Sequence, residues 1–151
     1  MLSRAGQPLA ALLQDMASAS GPCVEVRYFA RYPLRKVTDA SGKPARVGAL
    51  KGRYSVSFVA GTQVEAVSEG ELLLTAQPSE IRGKMSLNEY VARVVDREGE
   101  VTHPHAARAL AVLARTYLLQ QGKTSKTCYQ IDDSSSQQRV SPRPASAGAR
   151  D

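Results

Sequence analysis

Hydrophobic periodicity changes at Ser86, and that change limits the fold more than any other feature. Before it, apolar and polar residues alternate. From Cys23 to Ala30, Val24, Val26 and Tyr28 point one way and Glu25 and Arg27 the other, which is the period of a half-buried strand. Tyr54 to Ala60, Gln63 to Val67, Glu71 to Ala76 and Ile81 to Met85 read as further strands, with turns at Gly61-Thr62 and at Ser68 to Gly70. Asp39 to Lys43 (DASGK) is another turn cluster. Turns this tight favour an antiparallel meander. After Ser86 the period lengthens. Leu87, Tyr90, Val91, Val94 and Val95 follow at helical spacing behind a capping box, Ser86 to Glu89, and Gly99 is a natural stop. Thr102 is placed to cap a second helix with Pro104 early in it. Its stripe of Ala106, Ala109, Leu110, Leu113, Ala114 and Tyr117 is widened by Ala111, Val112, Leu118 and Leu119, so this helix is expected to be buried. Strands and then helices make the class α+β: an antiparallel strand-rich N-terminal half followed by two packed helices.

The flanks carry less pattern. Pro8 to Met16, with Leu9, Leu12, Leu13 and Met16, has helical spacing, and Ala17 to Pro22 reads as a loop. After Gly122, Cys128 to Ile131 suits one more strand and Asp132 to Gln138 (DDSSSQQ) a polar loop. The expected organisation is an N-terminal helix and linker at 1–22, one domain at 23–140, and an irregular tail at 141–151.

At 151 residues and 42% hydrophobic content the chain is long and apolar enough to bury a core. No apolar run approaches the ~20 residues of a membrane span. Met1 to Ser20 does not read as a secretory signal, because Gln14 and Asp15 cut its apolar patch short. The net charge of +6 suits an anionic polymer, nucleic acid or cell wall, and equally a basic surface with no dedicated partner. The lack of Trp argues against the stacking platform of a single-strand binder, and no nucleic-acid motif is present. Cys23 and Cys128 are either one bridge or two thiols, and free thiols are expected. His103 and His105 at a helix start have no second ligand cluster, so no metal and no cofactor is expected.

The stretch SLNEYVARVVDREGEVTHPHAARALAVLARTYLLQ, from Ser86 to Gln120, resembles the stage II sporulation protein D and amidase enhancer family. Leu87, Tyr90, Val91, Val94, Val95 and Glu98 match its first helical element, and Ala114, Arg115, Thr116 and Tyr117 its second. Asp133, Ser134, Ser135, Gln137 and Gln138 resemble a third, with Gln137 where a Cys is common. The resemblance covers roughly residues 80 to 140. Gly99-Glu100 stands where the family has an apolar residue and a Pro, and Leu110 where it has a Gln. The family's domain continues past these elements, so the chain is expected to be an incomplete domain, truncated at its C-terminal side.

The resemblance implies a peptidoglycan lytic transglycosylase in the cell envelope, outside the cytoplasmic membrane, with an envelope protein as a second candidate partner. One carboxyl group runs such a reaction. It protonates the glycosidic oxygen, and as a carboxylate it then takes a proton from the sugar's own hydroxyl, closing an anhydro ring. The acid must hold a proton near neutral pH, which apolar burial and a helix C-terminus both favour. Glu98 is the expected catalytic group, four residues after Val94 on the apolar face; otherwise it is a solvated helix-end carboxylate. Arg115, Tyr117, Asp133, Ser134, Ser135 and Gln138 are the expected substrate-binding residues. Arg115, expected to be buried, serves as a clamp near the acid or as a salt bridge to Asp96 or Asp133. Tyr117 suits the core as well as a sugar, and the serines suit an ordinary polar loop. A non-catalytic wall-binding or protein-interaction module of the same fold is the alternative reading.

Overall fold

The computed structural model describes residues 22–99, 102–125 and 128–150. The expected helix at Pro8 to Met16 lies outside them. Five strands come first: β1 (Cys23–Tyr28), β2 (Leu34–Asp39), β3 (Gly48–Phe58), β4 (Gln63–Ala76) and β5 (Ser79–Ser86). Then follow α1 (Leu87–Glu98), α2 (Pro104–Gln121), β6 (Lys123–Ser125), β7 (Cys128–Asp132) and a short turn of helix, α3 (Ala147–Arg150). The strands form one sheet in the order β2-β3-β4-β5-β1-β7-β6.

The meander from β3 to β5 is antiparallel, as expected, and β2, which the sequence did not signal as a strand, pairs antiparallel with β3. β1 then pairs antiparallel with β5 and parallel with β7, which makes the sheet mixed. Alternation decides which face is covered. Val24, Val26 and Tyr28 of β1, Ile81 and Met85 of β5, and Leu72 and Leu74 of β4 are buried against Leu87, Tyr90, Val91 and Val94 of α1. Gly83, opposite Val26, has no room for a side chain. A Cβ there would lie 2.7 Å from the Tyr28 ring.

Two expectations about elements change. Ser68 to Gly70 is not a turn between strands but an irregularity inside the single strand β4, where the register to β3 shifts between Ala49 and Lys51. Gly70, at φ +119, takes the left-handed backbone that this kink needs. Local residue chemistry signals a reversal equally well in both cases, and only the pairing across to β3 separates them. The second correction concerns α2. Ala114 and Leu118 are its buried residues, whereas Val112 and Leu113 are each 65% exposed. α2 is covered on one side alone, by α1 and β7. Its all-round apolar character therefore does not bury it. Its cap position is His103, one residue later than expected.

Ser86 caps α1 as foreseen, its Oγ accepting from the Glu89 N–H at 3.1 Å. Glu89 does not complete the box; its carboxylate is engaged elsewhere, as described below. Residues 141–150, expected as an irregular tail, run along α1 and end in α3. The Ser141 N–H donates to the Arg93 carbonyl, and the Ser146 N–H and hydroxyl donate to Asp96.

Cys23 and Cys128 are not free thiols. They are register partners on β1 and β7, with Cα atoms 4.6 Å apart, and form a disulfide. Parallel pairing of two strands far apart in sequence brings them together, which their spacing could not reveal. The bridge closes a separation of 105 residues. Replacing both cysteines with serine should lower unfolding stability by about 2–4 kcal/mol. Urea denaturation of the oxidised protein, the reduced protein and the double variant checks this, with reduced and variant chains expected to agree.

Candidate functional site

Glu98 ends α1 and is exposed. The apolar cover expected around its carboxyl group is not there, since the residue is exposed. Its Oε1 accepts the Arg139 backbone N–H at 2.8 Å. Among the described residues no hydrogen-bond partner is recorded for Oε2. Arg139 also reaches back to the loop after β7, its Nε lying 3.5 Å from Asp133 Oδ1. The first and third sequence elements thus meet through Arg139, a residue the sequence reading passed over. Its position just past the polar loop was the one available signal.

The loop itself is held from inside. Asp133 is buried, and its carboxylate accepts the N–H groups of Phe29 at 3.1 Å and Val140 at 2.9 Å. Gln138 is buried too. Its Oε1 accepts a short hydrogen bond from the Tyr90 hydroxyl, and its Nε2 donates to the Ala114 carbonyl at 3.3 Å. One amide side chain therefore joins α1, α2 and the loop. Burial pushes the Tyr90 hydroxyl well above its usual range, and the charge of Glu98 acts in the same direction, with smaller contributions from Tyr28, Tyr117 and Asp133. Tyr90 accordingly stays a donor. Ser134 is buried, its Oγ 3.0 Å from Ser136 Oγ, while Ser135 is exposed. Of the loop residues expected to touch sugar, Asp133, Ser134 and Gln138 turn inward and Ser135 faces solvent.

Tyr117 is half-buried against the core and belongs to the same neighbourhood through Tyr90. Arg115 does not. It is exposed, pairs with neither Asp96 nor Asp133, and donates to Asn88 Oδ1 at 3.0 Å near the opposite end of α1. Ten residues of helix separate Asn88 from Glu98, about 15 Å of rise. Arg115 lines a cavity of about 640 Å3 between α1, α2 and α3, and Glu98 does not. Among the described residues no group of His, Cys, Asp and Glu is placed to hold a metal ion.

The buried arginine is a different one. Arg93 is 1% exposed. Its Nε donates to Glu89 Oε2 at 2.7 Å, its Nη2 to Glu71 Oε2 at 3.2 Å and its Nη1 to the Tyr28 hydroxyl at 3.3 Å. The Tyr28 hydroxyl in turn donates to the Ser141 carbonyl at 2.8 Å. Glu71 sits at the kink of β4, where its Oε1 accepts the Ser68 hydroxyl and the Glu69 N–H. Glu89 also accepts the Ala145 N–H and the Arg150 guanidinium. Burial alone pushes the Glu71 and Glu89 carboxyls up. Their hydrogen bonds and the Arg93 charge outweigh it and hold both below the ordinary range.

Residues 77–146 match the family described as stage II sporulation protein, SpoIID. The uncharacterized protein YfaQ of Escherichia coli (strain K12) is 47% identical over 135 residues, covering 87% of this chain and 25% of that protein. The chain thus spans a quarter of the length of the curated relative it matches. No solved structure is a significant match.

Arg93→Met should cost about 3 kcal/mol, since two partly buried carboxylates lose their cation. The pH dependence follows from the lowered folded values of Glu71 and Glu89. Their contribution is complete above the ordinary value of 4.5 and is lost as pH falls through the lowered ones. Urea midpoints measured from pH 7 down to 3 should therefore drop at the acid end, and drop less in Arg93→Met.

Proposed function

With residues 77–146 a SpoIID segment of the stage II sporulation protein family, we propose that this chain acts on cell-wall glycan strands and cleaves them in the manner of a lytic transglycosylase, with Glu98 as the single acid and base. One observation carries the reading. Three separate stretches of sequence are tied together beside one exposed carboxylate: Tyr90 donates to Gln138, Gln138 to the Ala114 carbonyl, and the Arg139 N–H to Glu98. Glu98 is accessible to a long polymer, and one of its oxygens is already oriented by the Arg139 N–H.

In the proposed reaction the Glu98 carboxyl donates its proton to the glycosidic oxygen as that bond breaks. The carboxylate then removes the proton of the sugar's own hydroxyl, which attacks the anomeric carbon and closes the anhydro ring. One proton leaves and one returns, so no water is consumed. Docked glycan shields the carboxyl from solvent, a role the protein alone does not fill here. Ser135 offers its hydroxyl to substrate. Asp133, Ser134 and Gln138 shape the loop beneath, Tyr117 flanks it, and Arg115 meets substrate only where a strand extends along α1. The working compartment is the cell envelope. The disulfide supports an oxidising location, and no helix of the described residues is long and apolar enough to cross a membrane.

A wall-binding module without cleavage is the second reading. The exposure of Glu98 favours it, as does the way its carboxylate resembles Asp96 and Glu89 in anchoring the chain after residue 138.

Product analysis by mass spectrometry separates the two readings. Glycan strands with and without stem peptides are incubated with this chain, a C-terminally extended version, and Glu98→Gln of each. Anhydro-sugar ends that appear with the unsubstituted protein and fall at least about 100-fold in Glu98→Gln support cleavage. Retained glycan binding with no product from any version would select the binding module.

A further inference from the structure

α2 presents a row of four exposed residues, Arg108, Val112, Arg115 and Leu119. Their spacing of four, three and four is that of a heptad seam, the pattern with which one helix receives another. Val112 is 65% exposed and Leu119 46%. Arg108 has no hydrogen bond or ion pair among the described residues. Arg115 is held by the neutral Asn88 amide, so its charge meets no carboxylate. α2 contains no acidic residue at all (PHAARALAVLARTYLLQQ). Beside the row lies the cavity of about 640 Å3, floored by Val91, Ala92 and Val95 of α1 and by Ala111, with Arg108 and Arg115 at its edge.

We propose that this seam and the groove beside it dock an acidic amphipathic helix of a partner protein. Its apolar side chains rest on Val112 and Leu119, and its carboxylates, seven residues apart, face Arg108 and Arg115. Charge complementarity selects this occupant. A second copy of the chain docked seam to seam brings two more arginines and no carboxylate, in either orientation. A flat anionic lipid surface meets the row but leaves the groove unfilled. Opposite charges across a helix pair also set register and partner choice. The seam is separate from the Glu98 cluster, so the inference holds whether or not the chain cleaves glycan.

The test uses the whole chain and two labelled synthetic helical peptides, identical except that one carries Glu and the other Lys at the two charged seam positions, with Leu at the apolar ones. Fluorescence anisotropy at low salt should show the Glu peptide binding at least about tenfold more tightly than the Lys peptide. The preference should reverse in Arg108→Glu/Arg115→Glu and vanish in Arg108→Gln/Arg115→Gln, both expected to fold because the side chains are exposed. Val112→Ser should weaken both peptides. Equal affinities, a preference that survives charge reversal, or no binding of the Glu peptide at millimolar concentration overturns the proposal. Sedimentation with phosphatidylglycerol vesicles, in the absence of Glu-peptide binding, would assign the face to lipid instead.

Discussion

A single buried cation holds this structure together. Arg93 points from α1 into the space between the helix and the sheet and meets Glu89 on its own helix, Glu71 on β4 and Tyr28 on β1. A guanidinium out of water is costly unless its donors are satisfied, and its five N–H groups are spread over three nitrogens, so it reaches partners farther apart than the single nitrogen of an ammonium group can. The neighbouring structure answers that demand. β4 kinks at Ser68 to Gly70, and the kink places Glu71 with its second oxygen held by Ser68 and Glu69. Tyr28 lies over Gly83 and passes the network on to the Ser141 carbonyl. The bulge, the tyrosine over the glycine and the C-terminal segment all connect to this one arginine.

α1 serves as the spine on which the rest is hung. One side of it is apolar and closes the core through Tyr90, Val91 and Val94. The carboxylates of Glu89, Asp96 and Glu98 all accept main-chain N–H groups from the segment after residue 138. Glu98 differs from the others in setting, since it stands at the helix end beside the Asp133 loop, exposed. The Arg139 N–H orients its Oε1.

The loop is fixed by the sheet as well as by its own residues. β7 reaches the sheet by parallel pairing with β1, and the disulfide between Cys23 and Cys128 ties the first pair of that ladder. Bidentate bonds from Arg27 to Asp132 tie its last pair, on the outer face. Asp133 then turns inward onto Phe29 and Val140. A short strand pinned at both ends carries little conformational freedom into the loop it feeds, and that keeps the loop against Glu98.

The sequence by itself determined the strand-to-helix order, the α+β class, the cap at Ser86 and the elements resembling the SpoIID family, because periodicity and capping are local and read along the chain. It also picked out Tyr90 and Gln138, whose side chains do meet in space. What it could not determine were relations between distant segments. Ser68 to Gly70 reads as a turn until β3 is laid beside it. Cys23 and Cys128 read as thiols until β1 and β7 pair. Arg115 reads as the buried cation because its neighbours are apolar, yet Arg93, on a helix that looked ordinary, is the one enclosed. The apolar residues of α2 read as buried, yet the fold covers one side only. Burial depends on which surfaces pack together, and that is a property of the tertiary structure, decided here by the sheet order and by the partners that Arg93 requires.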